Sequence, residues 1–157
     1  MKICLITMLL MIALHPVCFA GEEFFIEDKT LKPVSDSITQ VILSYEKDPI
    51  WKACKFIGKP IDLDGDGKAT DFFITTGNAC GWGSALGPIW FIRGVGTSYT
   101  VVLSDGGYSA SLQDKKTKGL FDIIVSTGTA AREEYTKWVF NGRLYTGNRI
   151  IKDLTGR

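Results

Sequence analysis

Four aspartates lie close together in the segment Asp62-Leu63-Asp64-Gly65-Asp66-Gly67-Lys68-Ala69-Thr70-Asp71. Asp62, Asp64 and Asp66 take positions 1, 3 and 5 of this segment, and a glycine follows at position 6. Calcium takes roughly six to eight oxygen ligands, and a short loop of alternating carboxylates is the usual way to supply them. The glycine permits a sharp turn, which would bring the backbone carbonyl of Lys68 to the same centre. We therefore predict a Ca²⁺ site here.

The end of the segment leaves the last ligand open. A full EF-hand loop carries a glutamate at position 12, where this chain has Phe73. The fourth carboxylate comes earlier, at Asp71, so that Thr70, Asp71 or a water molecule would complete the coordination. We include Asp71 in the predicted ligand set. The alternative is a solvated turn rich in aspartate and glycine that holds no metal.

The residues after the loop, Phe72-Phe73-Ile74-Thr75-Thr76, favour a β-strand. A loop of this kind directly before an apolar strand resembles the EF-hand-like turns of FG-GAP and VCBS-type repeats. Over residues 62–76 the chain is similar to small secreted bacterial proteins with such a loop, and residues 118–125 match more loosely. The resemblance implies an extracytoplasmic, calcium-bound β module, without implying a substrate.

The first 20 residues predict a secretory signal peptide. Lys2 gives a positive start, Ile3 to Leu14 form an apolar run that is short for a membrane span, and Cys18-Phe19-Ala20 suits cleavage after Ala20. A lipoprotein acylated at Cys18 and an uncleaved anchor are the alternatives. We expect residues 21–157 to form a single domain in the periplasm or outside the cell. No later stretch has the roughly 20 apolar residues of a transmembrane helix.

Cleavage would change the composition in ways that exclude several functions. Removing Lys2 from the 18 basic residues leaves 17, which match the 17 acidic ones, so nucleic acid is not an expected partner. His15, the only histidine, would also be lost. Histidine-dependent hydrolase mechanisms and histidine-ligated zinc are then excluded, and we expect a protein that is not an enzyme.

Two cysteines, Cys54 and Cys80, would remain after cleavage. In an oxidising compartment an isolated pair predicts a disulfide, and the closed segment would contain the whole aspartate cluster. A redox or metal-binding thiol pair is the weaker alternative, because the spacing is not C-x-x-C.

The elements expected around the loop are one helix and a set of strands. Ser35 or Asp36 can cap a helix that runs to about Lys47, with apolar residues on one face. Asn141-Gly142 is the strongest hairpin signal. We predict an α+β class in which β dominates, with the helix beside an antiparallel meander of about six to seven strands. The expected strands are 71–76, 88–93, 99–104, 108–113, 120–126, 134–140 and 143–146.

The glycine-rich loop, Gly77 to Gly87, lacks the signatures of phosphate and dinucleotide sites. It is interpreted as a connection pinned by Cys80, with partner binding as the alternative; an exposed Trp82 would be an anchor. The favoured function is a non-enzymatic binding module for a protein or glycan. The alternatives are an inhibitor or immunity-type protein against a cell-envelope hydrolase and, more weakly, a carboxylate-only or metal-assisted hydrolase.

Overall fold

A computed structural model describes residues 21–128 and 132–153. The signal peptide predicted for residues 1–20 lies outside these ranges. No helix within them is both long and apolar enough to cross a membrane.

Ten strands and one α-helix occur in the described ranges. The strands are β1 (Glu23–Phe25), β2 (Lys32–Pro33), β3 (Phe56–Ile61), β4 (Asp71–Thr76), β5 (Gly87–Val95), β6 (Ser98–Gly107), β7 (Ser109–Thr117), β8 (Leu120–Ser126), β9 (Arg132–Phe140) and β10 (Tyr145–Asp153). Helix α1 (Asp36–Tyr45) lies between β2 and β3. Two 3-10 helices, Pro49–Ala53 and Gly77–Ala79, precede β3 and follow β4.

The strands form two antiparallel sheets of five strands each. Sheet A has the order β1-β7-β8-β9-β10, and sheet B has the order β2-β3-β4-β5-β6. The first described strand lies in sheet A, the strands from β2 to β6 build sheet B, and those from β7 to β10 return to sheet A. The return follows the pair Gly106-Gly107, which ends β6.

The β-dominant class with one helix is confirmed, whereas the single meander of six to seven strands is wrong. Three strands before the acidic segment were missed. Strand β3 contains Gly58 and Pro60, which obscure a strand pattern, and β1 and β2 have only three and two residues. The Asn141-Gly142 hairpin is confirmed, because β9 and β10 pair with Phe140 opposite Tyr145.

The main core lies between the two sheets. Sheet B contributes Phe73, Ile89 and Phe91, and sheet A contributes Ile123 and Val125, all with no exposed surface. Alternation along β5 places Ile89 and Phe91 in this core and sends Trp90 and Ile92 to the other face of sheet B. Burial at roughly 25 cal/mol per Å² of apolar surface makes this layer the main stabilising contact between the sheets.

Helix α1 covers the other face of sheet B. Ser35 caps the helix by accepting the backbone N–H of Ile38, and Ile38 and Ile42 pack in a second apolar cluster with Trp90. The helix ends at Tyr45 rather than near Lys47. Glu46, the residue after it, accepts the indole N–H of Trp90 at 2.7 Å, which fixes the helix end on the sheet.

Candidate metal centre

The acid loop, defined as Asp62 to Asp71, connects two neighbouring strands of sheet B. Strand β3 ends at Ile61 and β4 begins at Asp71, and these two residues are paired. The loop is therefore the connection of a β-hairpin, and its two ends are fixed by strand pairing. The expected strand after the loop, residues 71–76, is confirmed with the same bounds.

Three of the predicted ligands come together in this loop. Asp62, Asp64 and Asp66 each place one carboxylate oxygen so that the three oxygens lie within 4.8 Å of one another. Asp62 and Asp64 are half-buried, and Asp66 is exposed. Three carboxylates at this separation repel one another unless a cation or hydrogen-bond donors compensate their charge.

Backbone N–H groups of the loop supply part of that compensation. Asp62 accepts from Gly65 at 2.6 Å and Asp66 at 3.2 Å through Oδ1, and from Gly67 at 2.8 Å through Oδ2. Burial disfavours the charged form of Asp62, but the N–H bonds outweigh it and lower the pKa of this carboxyl. The loop thus keeps a charged carboxylate at its first position.

The carbonyl of Lys68, another predicted ligand in the loop, is also in a bonded turn. It accepts the N–H of Thr70 at 2.9 Å, and the Lys68 ammonium lies 3.4 Å from Asp66 Oδ2. A carbonyl oxygen has two lone pairs, so one remains for a cation. Gly67 has a φ of 85°, in the left-handed region that the predicted sharp turn requires.

Asp71 does not join the three clustered carboxylates. Its side chain is 3% exposed, and both oxygens accept backbone N–H groups, Oδ2 from Leu63 at 3.0 Å and Oδ1 from Gly94 at 2.9 Å. Burial raises the pKa of this carboxyl. Asp71 points into the protein and ties the loop to β5, since Gly94 belongs to that strand.

Sheet A holds the loop from the opposite side. Leu63 is fully buried in the main core, and its carbonyl accepts the N–H of Phe121 at 3.0 Å. The Lys116 ammonium donates to the backbone carbonyl of Asp64 at 2.6 Å and lies 4.5 Å from the centroid of the Phe121 ring. The peptide groups between the first two clustered aspartates are thus bonded to both sheets.

The disulfide between Cys54 and Cys80 is confirmed, with the two Cα atoms 5.5 Å apart. It joins the end of the first 3-10 helix to the end of the second one. The hairpin of β3 and β4, with the acid loop, lies within the closed segment. Closing a loop of this length contributes about 3–4 kcal/mol in the chain-entropy view.

Trp82, the anchor residue predicted for an exposed loop tip, is half-buried and packs against the main core. Its indole N–H donates to the hydroxyl of Thr76 at 3.0 Å, and that hydroxyl donates to the carbonyl of Cys80. Trp82 therefore holds the glycine-rich loop in place rather than extending from it.

The glycine-rich loop contains backbone strain at residues other than glycine. Asn78, Ala79, Ser84 and Ala85 have φ values of 54°, 51°, 43° and 68°. The last two form a two-residue turn, because Gly83 and the residue after Ala85 bond to each other in both directions. Asparagine adopts this region readily, whereas left-handed conformations of alanine and serine are unfavourable and persist only where the surroundings impose them.

A shallow groove of about 390 Å³ lies between α1 and the edge strand β6. Its lining residues share the absence of a formal charge: Gln40, Val41, Ser44, Tyr45, Tyr99, Thr100 and Val101. Tyr45 is 46% exposed, and the lining also offers hydroxyl and amide groups.

The sequence interpretation missed the residues that hold the acid loop from outside, above all Lys116, Phe121 and Gly94. They lie about 20 to 60 residues from the loop in sequence, and no local pattern connects them with it. The inward direction of Asp71 had a weak signal, because it shares a strand face with Phe73. Phe72 is also apolar, so the sequence did not show which face is buried.

Comparison of the chain with protein-family models, with curated proteins and with solved structures finds no match.

Proposed function

We propose that this chain is an extracytoplasmic, non-enzymatic binding module whose acid loop binds Ca²⁺. The single observation that carries the proposal is the convergence of Asp62, Asp64 and Asp66, whose oxygens approach within 4.8 Å of one another. Carboxylate oxygens are the hard donors that calcium prefers. The resemblance to the loops of FG-GAP and VCBS-type repeats supports the same assignment.

The test is a calcium titration of residues 21–157, beginning in EGTA, with thermal unfolding as the measurement. A ligand that binds only the folded state stabilises it by about 2.7 kcal/mol at 100 times its Kd. We expect a calcium-dependent rise in the melting temperature. Asp64→Ala should abolish the rise, and Asp114→Ala, at an exposed aspartate outside the loop, should leave it intact. A parent protein whose melting temperature is the same in EGTA and in calcium contradicts the proposal.

The proposal includes no catalytic residue, and two carboxylates outside the acid loop, Asp105 and Asp122, have structural partners. Asp105 accepts the indole N–H of Trp138 at 2.9 Å. Asp122 is fully buried, accepts from the hydroxyl of Thr117 at 2.7 Å and lies 3.7 Å from the ammonium of Lys137. These contacts support structural roles for both carboxylates.

The groove beside α1 is the surface that favours a neutral glycan as the partner. Tyrosine rings give apolar faces for sugar rings, and the uncharged hydroxyl and amide groups suit sugar hydroxyls. Isothermal titration with neutral oligosaccharides tests this proposal. Tyr99→Ala should abolish binding, whereas Tyr108→Ala, at an exposed tyrosine outside the groove, should not. Equal binding by the parent protein and Tyr99→Ala contradicts it.

A second candidate function, inhibition of a cell-envelope hydrolase, is favoured by the glycine-rich loop. Its exposed residues are small and uncharged, and strain at Ser84 and Ala85 is held by the surrounding contacts. A preformed loop loses little entropy when it enters a cleft.

Assays of peptidoglycan hydrolases with the added protein test this alternative. Inhibition that weakens in Ser84→Trp, a bulky change at the loop tip, would support it. Inhibition that is equal in Ser84→Trp and the parent, or no inhibition by the parent, would contradict it.

A further inference from the structure

The bonds of Asp71 and Lys116 suggest a role distinct from calcium ligation. Asp71 was predicted as a ligand from its place in the sequence, but both of its oxygens are bonded to backbone N–H groups inside the protein. Lys116 brings a positive charge to the outer side of the acid loop. A lysine beside a cation site would weaken binding if its charge were all that mattered.

We propose that Asp71 and Lys116 are positioning residues that fix the acid loop between the two sheets in its calcium-binding conformation. The inference rests on the proposed calcium function and adds how the site is held. Calcium would then act as a structural ion rather than a switch, because a loop that is already held in place does not rearrange when the ion arrives.

The first part of the argument concerns Leu63, which lies between two clustered aspartates. Its side chain is fully buried, its N–H donates to Asp71 and its carbonyl accepts from Phe121. The backbone N–H of Leu63 is therefore bonded to β4, its carbonyl is bonded to β8, and its side chain is packed in the core. The direction of the chain on both sides of Leu63, and hence the starting points of the Asp62 and Asp64 side chains, is set from outside the loop.

The second part concerns the peptide group that follows Asp64. Lys116, near the end of β7, donates to the Asp64 carbonyl at 2.6 Å, and its ammonium rests over the Phe121 ring. A charge-assisted bond of this length fixes the orientation of the acceptor group. Hydrogen bonds that orient metal ligands from outside typically change metal affinity by about 10–100-fold when removed.

The third part concerns the link to sheet B. Asp71 joins the Leu63 N–H to the Gly94 N–H, so one carboxylate connects the loop with β5. Together the two positioning residues bond the loop to β4, β5 and β7. A shift of the loop would then have to break contacts in both sheets.

Lys116→Met gives a test in which the two explanations predict opposite signs. The methionine keeps an apolar side chain over Phe121 but removes the donor and the charge. If Lys116 positions the loop, the calcium Kd measured by isothermal titration should rise about tenfold. If only its charge matters, the Kd should fall. Lys115→Met removes the same charge from the adjacent exposed residue and should not raise the Kd.

Asp71→Asn separates positioning from ligation by its effect in EGTA. Loss of a ligand would relieve repulsion among the carboxylates and leave the melting temperature in EGTA unchanged or raised. If Asp71 is a positioning group, the substitution should lower that temperature, because the amide NH₂ of asparagine would face a backbone N–H that the carboxylate accepts. Asp114→Asn serves as the control for the charge.

The outcomes distinguish this inference from the proposed function. A parent protein that binds no calcium overturns both, and its flat titration identifies that case. A parent that binds calcium, combined with a Lys116→Met Kd that is unchanged or lower, overturns the inference alone. If Asp71→Asn does not fold, the Lys116→Met comparison still decides. Chemical shift changes upon calcium binding that are confined to the acid loop support a structural ion that does not rearrange the fold, and changes throughout β7 and β8 contradict it.

Discussion

The loops at the two ends of β4 are destabilised by different things, charge repulsion in the acid loop and backbone strain in the glycine-rich loop. The acid loop places its left-handed conformations on Gly65 and Gly67, so its backbone is relaxed while its carboxylates repel one another. The glycine-rich loop has no charged side chain but places left-handed conformations on Ser84 and Ala85. A bound cation would relieve the first difficulty, whereas the second is met by a disulfide and by hydrogen bonds. Neighbouring segments of one hairpin system can therefore be stabilised by unrelated means.

The largest effect is expected from removing the disulfide, which links the glycine-rich loop to the segment before β3 and encloses the acid loop. Replacing Cys54 and Cys80 together with serine should reduce the free energy of unfolding by about 3–4 kcal/mol. Urea unfolding of the parent and the variant in EGTA measures the difference. If reduction of the parent protein lowers its free energy of unfolding by the same amount, the loss is caused by the missing disulfide and not by the serine side chains. A difference below about 1 kcal/mol would contradict the expectation.

The next effect is specific to the glycine-rich loop. Thr76→Val removes the hydroxyl that joins Trp82 to the Cys80 carbonyl and should cost about 1–3 kcal/mol, because the indole N–H loses its partner. Thr75→Val is a close control, since the Thr75 hydroxyl is buried without a hydrogen-bond partner and its loss should be neutral or stabilising. Equal destabilisation by the two variants in urea unfolding would refute this assignment.

Two glycine exchanges compare the backbones of the loops directly. Gly67→Ala should destabilise by about 1–2 kcal/mol, because φ is 85° although the space around it is open. Ala85→Gly should stabilise by about 0.5–1 kcal/mol, because relief of strain exceeds the added flexibility of the unfolded chain. Thermal unfolding in EGTA measures both. Gly96→Ala, also at positive φ in open space but in the turn between β5 and β6, should match Gly67→Ala.

The smallest effect concerns pH, to which the acid loop should respond and the glycine-rich loop, which has no charged side chain, should not. Since the pKa of Asp62 is lowered in the folded state, its contribution to stability is present above the unfolded pKa and is lost as the pH falls through the folded value. Asp62→Asn should flatten the acid side of the profile of urea midpoint against pH in EGTA.

Asp105 gives a contrast of opposite sign. Burial raises its pKa, so its contribution is present below the unfolded pKa and is lost as the pH rises through the folded value. Asp105→Asn should therefore flatten the same profile where stability falls as the pH rises. Profiles that change in the same direction in both variants would contradict the two assignments.

Local patterns predicted the elements whose signals are contained within a few residues. The Ser35 cap, the strand from Asp71 to Thr76, the strand from Leu120 to Ser126 and the Asn141-Gly142 hairpin are all present. Each depends on neighbours in sequence, through a cap, an apolar strand pattern or a tight turn.

What could not be predicted depends on contacts that are distant in sequence. The division into two sheets follows from which face each strand buries, and consecutive apolar residues in β4 and β5 hide that choice. Glu46 ends α1 because Trp90 and Ser104 hold its carboxylate. The same limit applies to the site, where the clustered aspartates were visible in the sequence but the inward direction of Asp71 was not.

An irregularity in β6 has a consequence for the behaviour of the protein at high concentration. Between Phe91 and Ile92 the pairing with β6 skips one residue, so Val102 and Leu103 both face the main core and the strand bends. Strand β6 is an edge of sheet B, and a bent edge is a poor template for another strand. The opposite edge, β2, has two residues, one of them Pro33. Both edges of sheet B are therefore poor partners for strands of a second molecule, which disfavours association into larger sheets.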